Sequence, residues 1–360
     1  MDVAFHPLVV RVRPETDDSA TITFDVPEHL RDLFRHEPGQ HVVLRADIDG
    51  EDVRRSYSIC SAPGAPLRVG VKRIPGGRFS TWATTELRDG DRLDVLPPIG
   101  EFVHRTDPTR AASYVLVAAG SGITPILAMA TTILATEPES TCTLVYGNRR
   151  VASIMFLEEL EALKNRWPDR FRLLHVLSRE PHDIPLFTGR IDLDKVRMLA
   201  GGLIDVDRVD SWYLCGPLGM VEDVQAALAD LGVPAARVHA ELFYDERVES
   251  VPEVDESSAV SVPFTVTIDG RSSTLHVDPD GPSLLDYART VRSEVPFACK
   301  GGMCATCKAK VLCGEVTMAK NYALTPDEVA DGFVLTCQAH PVAGSDPVTV
   351  SFDVHGGIGR

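Results

Sequence analysis

The sequence lacks the features that would place a protein in a membrane or on nucleic acid. It contains no run of about 18 apolar residues, the length that a membrane-spanning helix requires. Its N-terminal segment, MDVAFHPLVVRVRPET, lacks the basic-then-apolar pattern of a secretory signal. Basic residues are in deficit, since 52 acidic residues against 36 basic ones give a net charge of −16, which does not suit a phosphate backbone. These absences predict a cytoplasmic protein whose partners include neither nucleic acid nor membrane.

Three blocks and a linker divide the 360 residues. Residues 1–105 contain short alternating runs with Gly and Pro between them, which predicts an antiparallel β-barrel or sandwich. Residues 106–248 alternate short apolar runs with helix-like segments such as ITPILAMATTILAT, which predicts a parallel sheet with helices on both faces. Residues 249–261 are acidic and Ser-rich, as in a linker. Residues 262–360 begin with a predicted hairpin that has Asp-Gly at its turn, followed by a short helix, SLLDYARTV.

The last block carries a cysteine pattern that is typical of a plant-type [2Fe–2S] site. Three cysteines follow the spacing C-x4-C-x2-C and a fourth lies thirty positions later; the predicted ligands are Cys299, Cys304, Cys307 and Cys337. Gly301 and Gly302 would let the backbone wrap the cluster closely. A zinc site is disfavoured because a second C-x2-C pair is missing, and disulfides are disfavoured because they need an oxidising compartment. Cys313 lies outside the pattern and is interpreted as a small core or surface residue.

The first block carries a candidate flavin site. In RRSYSICSAP, Arg55 can meet a phosphate, Tyr57 can stack on a flavin ring and Ser58 can hydrogen-bond near flavin N5. PGGRFSTW places glycines before a predicted helix start, an arrangement that favours phosphate binding. FMN is the alternative, and the choice of FAD rests on the Gly-x-x-Ser spacing of Gly77 and Ser80.

The second block carries a candidate nicotinamide site in two motifs. VLVAAGSGITPILAM predicts a strand, a tight turn at Gly120 and Gly122, and a helix whose first turn includes Thr124. In YLCGPLGM, Cys215 and Gly216 are candidates for contact with the nicotinamide, although a lone cysteine of this kind is more often a core thiol.

Two further motifs refine this site. In LSRE, Ser178 and Arg179 end a predicted strand and suit a ribose 2′-phosphate, which favours NADPH, with NADH as the alternative. In AELFYDE, Glu241 could relay a proton toward the flavin and Phe243 could lie beside its ring. A surface carboxylate is the competing interpretation of Glu241.

Together these motifs resemble the ferredoxin–NADP reductase family. The resemblance implies an FAD-binding barrel, in which Arg55 and the backbone of Gly77, Ser80 and Thr81 hold the pyrophosphate. It implies a pyridine nucleotide lying across the strand ends of the second block. Residues 262–353 resemble a plant-type ferredoxin of β-grasp fold.

The order of the three modules predicts the direction of electron flow. A nicotinamide delivers two electrons as hydride, a [2Fe–2S] centre accepts one, and a flavin can take two and release them singly. The whole chain resembles reductase components of multicomponent oxygenases. The runs around Cys307 and Cys337 look most like the reductase subunits of phenylacetyl-CoA epoxidases, which serve a di-iron oxygenase; reductases of ketosteroid 9α-hydroxylases are the alternative. An alternative of another class is a redox sensor with the same cofactors.

Overall fold

The computed structural model describes residues 5–181, 184–242, 261–268, 270–292, 295–297, 300–302, 305–344 and 346–354. The chain folds into two compact units, Met1–Glu246 and Arg247–Arg360. The predicted linker, residues 249–261, lies outside the described residues apart from residue 261. Among the described residues, every helix is too short or too polar to cross a membrane.

The first part of unit 1 is a closed antiparallel barrel. Within the described residues its strands are β1 (His6–Thr16), β2 (Ser19–Asp25), β3 (His41–Ile48), β4 (Glu51–Ser58), β5 (Arg68–Lys72) and β6 (Arg92–Val95). The strand order is β4-β3-β6-β1-β2-β5. An antiparallel bridge between Ile59, just past β4, and Val69 on β5 joins the two edges. The sheet therefore closes on itself at this bridge, which confirms the predicted barrel.

Helix α1 (Arg78–Thr85) packs against the barrel core. Its buried Phe79 packs with the aliphatic side chains of the strands, and Ala83 lies on the same face of the helix. Leu8 and Val10 of β1 are buried with more exposed neighbours, which follows the period of two that the sequence shows, whereas the first four residues of β2 are all buried.

The second part of unit 1 is a parallel sheet with helices on both faces, as predicted. Its described strands are β7 (Ser113–Ala119), β8 (Thr141–Asn148), β9 (Phe171–Leu177), β10 (Ser211–Gly216) and β11 (Val238–Leu242). Their order, β11-β10-β7-β8-β9, is parallel throughout. The helices are α2 (Ile123–Thr136), α3 (Leu157–Arg166), α4 (Leu193–Ala200) and α5 (Leu218–Asp230). One core cluster joins α2 and α3 to one face of the sheet, and another joins α4 and α5 to the other.

Helix α3 differs from its predicted extent. The sequence predicts helix over residues 153–167, whereas the structure begins the helix at Leu157. Phe156 has a left-handed φ of 58° and forms the N-cap. Its amide donates a 2.7 Å hydrogen bond to Oε1 of Glu15 on β1, so a contact across 141 positions of sequence fixes where the helix starts.

Unit 2 is a mixed sheet with a helix across it. Its described strands are β12 (Val262–Ile268), β13 (Arg271–Val277), β14 (Lys308–Cys313), β15 (Val316–Met318), β16 (Phe333–Leu335), β17 (Ala339–Pro341) and β18 (Val348–Ser351). The main sheet has the order β13-β12-β18-β14-β16, and only β12 and β18 are parallel among its described pairs. Helix α6 (Leu284–Val291) packs on this core and α7 (Pro326–Ala330) lies beside β16. The predicted hairpin and the predicted helix are both confirmed, in a β-grasp arrangement.

Candidate redox sites

Strand β4 presents the predicted flavin residues at one end of the barrel. Arg55 and Tyr57 are half-buried and, being two positions apart, share one face of the strand. The Tyr57 ring lies 5.5 Å from the ring of Phe79, tilted by 37°. Ser58 ends the strand, is buried, and stands opposite His41 of β3. A cation, an aromatic ring and a hydroxyl in this sequence fit the phosphate, the ring system and the polar edge of a flavin.

The start of α1 supplies the second part of this site. Gly76 has a left-handed φ of 81°, and Gly77 is the N-cap of the helix. The Gly77 amide donates to the carbonyl of Ile74, and the Thr81 amide donates to the carbonyl of Gly77. The buried Ser80 hydroxyl accepts a 3.2 Å hydrogen bond from the Ile74 amide, so it shapes the loop. A phosphate would therefore meet the helix start through the amides between Gly77 and Thr81.

The glycine-rich turn after β7 lies against β10. A Cβ on Gly122 would lie 2.1 Å from the carbonyl oxygen of Cys215, so only glycine permits this approach. Gly120 has a left-handed φ of 56°, and space around its missing Cβ is open, as a bound dinucleotide would require. Thr124 is buried and its hydroxyl donates to the carbonyl of Ser121, which fixes the first turn of α2.

Three predicted catalytic residues converge where the barrel meets the parallel sheet. The Ser58 hydroxyl donates a 3.1 Å hydrogen bond to Oε2 of Glu241. Cys215 on β10 stands beside Glu241 on β11 in the parallel register. Nδ1 of His41 lies 3.9 Å from Oε1 of Glu241, whose side chain is only 15% exposed. Glu241 is therefore not a surface carboxylate, and it links the flavin strand to the nucleotide sheet.

The chemistry of Cys215 follows from its surroundings. The thiol is fully buried, and burial, followed by the negative charge of Glu241, raises its pKa well above the ordinary value. The group therefore stays a neutral thiol near pH 7, which suits packing against a ring rather than attack as a nucleophile.

Ser178 and Arg179 lie just beyond the end of β9, and both side chains are exposed. Their amides donate to the carbonyls of Asn148 and Arg149 at 2.9 and 2.8 Å, which extends the pairing of β8 with β9. Arg149 and Arg179 thus stand on adjacent chain segments at the carboxyl edge of the sheet. Two exposed guanidinium groups at this edge fit a phosphate on the ribose. Phe243, the other predicted contact, lies outside the described residues.

The iron–sulfur site is partly described. Cys307 and Cys337 are 2% and 7% exposed, and both the amide and the hydroxyl of Thr336 donate to the carbonyl of Cys307, at 3.1 and 2.9 Å. Cys299 and Cys304 lie outside the described residues, which by themselves hold no group of three candidate metal ligands. Cys313 is exposed on β14, outside the predicted ligand set.

The backbone around these cysteines fits an anionic cluster. Lys300, Gly302 and Ala305 all have left-handed φ values, of 50°, 78° and 52°. Left-handed residues in a loop can turn backbone amides toward its concave side, where anions bind. A Cβ on Gly302 would lie 3.0 Å from the carbonyl oxygen of Lys320, so the loop passes close to the neighbouring segment. The residues that the structure describes therefore fit a [2Fe–2S] group.

A buried polar network below the nucleotide sheet was missed by sequence reasoning. The fully buried carboxylate of Glu137 lies within hydrogen-bond distance of His104 at 3.0 Å, Tyr114 at 3.0 Å and Ser140 at 2.7 Å. Nδ1 of His104 lies 2.9 Å from the hydroxyl of Tyr213. Because His104 belongs to the segment that connects the barrel to the parallel sheet, this network fixes the connector. His41 was also missed, because HVVL reads as an ordinary strand; only its pairing with Ser58 places it at the site.

Comparison with known protein families assigns the three modules in the same order. Residues 8–104 match the oxidoreductase FAD-binding domain, residues 116–226 the oxidoreductase NAD-binding domain, and residues 266–342 the 2Fe-2S iron-sulfur cluster binding domain. The fold and these matches define an oxidoreductase with a flavin, a nicotinamide and an iron–sulfur module on one chain.

Similar proteins are components of oxygenase systems. One subunit of the 1,2-phenylacetyl-CoA epoxidase of Escherichia coli (strain K12) is 45% identical over 98% of this chain and 99% of its own length. The ferredoxin reductase component of 3-ketosteroid-9-alpha-monooxygenase from Rhodococcus rhodochrous is 35% identical over 96% of this chain and 95% of its own. The solved structure of phthalate dioxygenase reductase shares the fold, with a TM-score of 0.57 and 24% identity over 97% of this chain and 98% of that one. The chain belongs to the family of flavin- and [2Fe–2S]-containing oxygenase reductase components.

Proposed function

We propose that this protein transfers electrons from NADPH through FAD and a [2Fe–2S] cluster to the oxygenase component of a phenylacetyl-CoA epoxidase. The observation that carries the flavin–nicotinamide part is the bond from Ser58 to Glu241, which joins the flavin strand to the nucleotide sheet beside Cys215. The 45% identity to the E. coli epoxidase protein over nearly the full length supports the choice of acceptor. A di-iron oxygenase component is the proposed partner, and the cytoplasm the proposed location.

The flavin side of the site is built from residues of β4, the start of α1 and Glu241. Arg55 binds the flavin pyrophosphate together with the loop and helix start at Gly77, Ser80 and Thr81, and Tyr57 stacks on the ring. FAD, when bound, accepts hydride and returns the two electrons one at a time. Ser58 lies at the polar edge of the ring, and Glu241 accepts its hydrogen bond. Glu241 thereby holds the hydroxyl in a fixed direction and offers a site for a proton.

The nucleotide side of the site is built at the carboxyl ends of the parallel strands. Gly120, Gly122 and Thr124 shape the turn over which the dinucleotide lies. Cys215 and Gly216 form the floor beneath the nicotinamide, with Phe243 beside the flavin ring. Ser178 and Arg179 bind the 2′-phosphate, which makes NADPH the preferred donor over NADH.

The cluster is held by Cys299, Cys304, Cys307 and Cys337. Burial of Cys307 and Cys337 and the left-handed loop residues support this ligand set. We propose the module boundaries 1–105 for the FAD barrel, 106–248 for the nucleotide domain, 249–261 for the linker and 262–360 for the ferredoxin-like domain.

Reconstitution with purified oxygenase components tests this function. The protein, with FAD and the cluster in place, is mixed with the oxygenase component of a phenylacetyl-CoA epoxidase, phenylacetyl-CoA and NADPH. NADPH-dependent formation of the epoxide, at a rate far above that of the oxygenase alone, supports the proposal. A parallel assay with the oxygenase component of a 3-ketosteroid-9-alpha-monooxygenase serves as the matched comparison. Turnover only in that second assay would contradict the proposed acceptor but would still support the proposed path from NADPH through FAD to the cluster.

A further inference from the structure

Three side chains of the barrel reach one short segment of the nucleotide domain, residues 153–159. The guanidinium of Arg68 on β5 donates two hydrogen bonds to the carboxylate of Glu159 on α3, at 2.6 and 2.7 Å. Oε1 of Glu15 accepts a 2.7 Å hydrogen bond from the amide of Phe156, and Nζ of Lys72 donates to the carbonyl of Ser153 at 3.2 Å. Three barrel side chains therefore form hydrogen bonds with the segment that leads into α3 and with its first turn.

The strand that carries Arg68 is also in contact with the flavin strand. The amide of Cys60, two positions after Ser58, donates a 2.9 Å hydrogen bond to the carbonyl of Arg68. The thiol of Cys60 donates to the same carbonyl at 3.3 Å. Because Ile59 also forms a bridge with Val69, any shift of β5 moves the end of β4, where Ser58 lies.

The same strand contacts the nicotinamide turn through the face that carries Arg68, since Gly70 lies two positions further along the strand. A Cβ on Gly70 would lie 2.8 Å from Cγ2 of Thr124, in the first turn of α2, and 3.0 Å from side-chain atoms of Met155 and Phe156. Strand β5 thus contacts the end of the flavin strand along its edge and the first turn of α2 through one of its faces. Its two-point bond to Glu159 fixes it against the nucleotide domain with a defined orientation, since a guanidinium–carboxylate pair of this kind is directional.

We propose that Arg68 and Glu159 are positioning residues for hydride transfer: their ion pair sets the distance and angle between the nicotinamide and the flavin. The proposal rests on the proposed flavin–nicotinamide reaction and names residues outside the predicted dinucleotide contacts. Hydride passes from the reduced nicotinamide to the flavin, so two electrons leave one ring and enter the other, and the rate depends steeply on their alignment. The side chains of Arg68 and Glu159 are 24% and 43% exposed, so the pair is too exposed to be a main source of stability.

Single and double substitutions test the pair. Arg68→Gln, Glu159→Gln and the double variant are purified with FAD, and flavin reduction by NADPH is followed under anaerobic conditions by stopped-flow absorbance. Each single variant is expected to slow the limiting rate by about tenfold or more, while flavin content and NADPH affinity stay at wild-type values. The double variant should be no slower than the slower single variant, since the two residues act as one unit. The charge-transfer absorbance between nicotinamide and flavin should weaken in parallel.

An ion pair inside the barrel is the matched control. Arg45 and Asp94 join β3 to β6 at 2.6 Å and are both 34% exposed, so this ion pair links two strands of the barrel itself. Arg45→Gln should leave the rate of flavin reduction unchanged. Arg68→Lys keeps the charge without the two-point geometry and should fall between wild type and Arg68→Gln.

Several results would overturn the proposal. One such result is a wild-type rate of flavin reduction in both single variants. Another is a rate that falls only in proportion to lost flavin. A third is a double variant in which the two losses of rate are fully additive. A wild-type protein that NADPH does not reduce would instead contradict the proposed function itself, so the two failures are distinguishable.

Discussion

The hydroxyl of Ser58 donates a 3.1 Å hydrogen bond to Glu241, a residue 183 positions further along the chain. The bond crosses from the barrel to the last strand of the parallel sheet, and His41 lies 3.9 Å from the other carboxylate oxygen. The carboxylate therefore holds a hydroxyl that the sequence assigns to the flavin edge.

Replacing this carboxylate should slow flavin chemistry without loss of the flavin. Glu241→Gln keeps the shape of the side chain but removes its charge and its capacity to take up a proton. We expect the rate of flavin reduction by NADPH to fall by at least about tenfold, since a positioned acid or base commonly contributes more than that. Stopped-flow absorbance gives the rate and the flavin spectrum gives the occupancy. An unchanged rate in Glu241→Gln would remove Glu241 from the catalytic set.

Removing one cluster ligand should block electron transfer through the cluster but not flavin reduction by NADPH. Cys304→Ser is expected to abolish reduction of cytochrome c through the cluster and to lower iron and acid-labile sulfide, because serine is a poor substitute for a thiolate ligand. Flavin reduction by NADPH should remain. Cys313→Ser is the control, since Cys313 is exposed and outside the ligand pattern. Loss of flavin reduction in Cys304→Ser would contradict the modular arrangement.

Nucleotide preference should depend on Arg179. A hydrogen bond to a charged group contributes about 1.5–3 kcal/mol, so Arg179→Ala should lower the ratio of kcat/KM for NADPH over NADH by about tenfold or more. Steady-state kinetics with both nucleotides measures the ratio. Arg172→Ala is the control, because Arg172 lies near the opposite end of β9. Equal effects of Arg179→Ala on both nucleotides would exclude a role at the 2′-phosphate.

The close approach of the glycine-rich turn to β10 should not tolerate a side chain. In Gly122→Ala the new Cβ would lie 2.1 Å from the carbonyl oxygen of Cys215, and both groups belong to the backbone. We expect the free energy of unfolding to fall by about 1–3 kcal/mol and nucleotide binding to weaken. Gly219→Ala, with open space around its Cβ, is the control. Denaturant unfolding and nucleotide titration measure the two effects, and wild-type values for both would show that the turn can move away.

The stability of unit 1 should fall as the solution becomes acidic. Burial lowers the pKa of His104 from its ordinary value of 6.5, so below that value the unfolded chain binds more protons than the folded one. Burial alone would raise the pKa of Glu137, but hydrogen bonds from Ser140 and His104 outweigh it and lower that pKa, which adds a further loss at pH below 4.5. Both lowered pKa values therefore favour the folded state at neutral pH, and this contribution to stability is lost on acidification.

His104→Gln should make this decline shallower between pH 7.5 and 5.5. Gln cannot take up the proton, so the contribution of residue 104 disappears from that pH range. Tryptophan fluorescence during denaturation follows unit 1 alone, because Trp82, Trp167 and Trp212 all belong to it. His29→Gln is the control, since His29 is exposed. An identical slope in wild type and His104→Gln would assign the pH dependence to other groups.

Local patterns in the sequence predict much of the fold. Helix α2 has the bounds that ITPILAMATTILAT predicts, because a mostly apolar stretch lies between a glycine turn and a polar end. The hairpin of β12 and β13 follows from Asp-Gly at its turn. The start of α3 could not be predicted, since it depends on a hydrogen bond to Glu15 from far along the chain.

The site divides in the same way. Arg55, Tyr57, Ser58 and the glycine turn belong to short motifs with their own chemistry, so the sequence can predict them as site residues. His41, Glu137 and the pair of Arg68 with Glu159 belong to no such motif, and their contacts form only when distant segments come together. The sequence alone allows Glu241 to be either a proton relay or a surface carboxylate, and its low exposure excludes the surface carboxylate.

Strand β5 closes the barrel and also contacts the nucleotide domain. This limits which barrels can be exchanged between such proteins. A barrel taken from another reductase would bring a foreign β1 and β5 to residues 153–159. It would lose the bond from the Phe156 amide to Glu15 of β1 and the bonds from Arg68 of β5 to Glu159. A hybrid that exchanges these residues along with the barrel should reduce its flavin faster than one cut at the connector alone. The best crossover point for such a hybrid therefore does not coincide with the boundary between the two sheets.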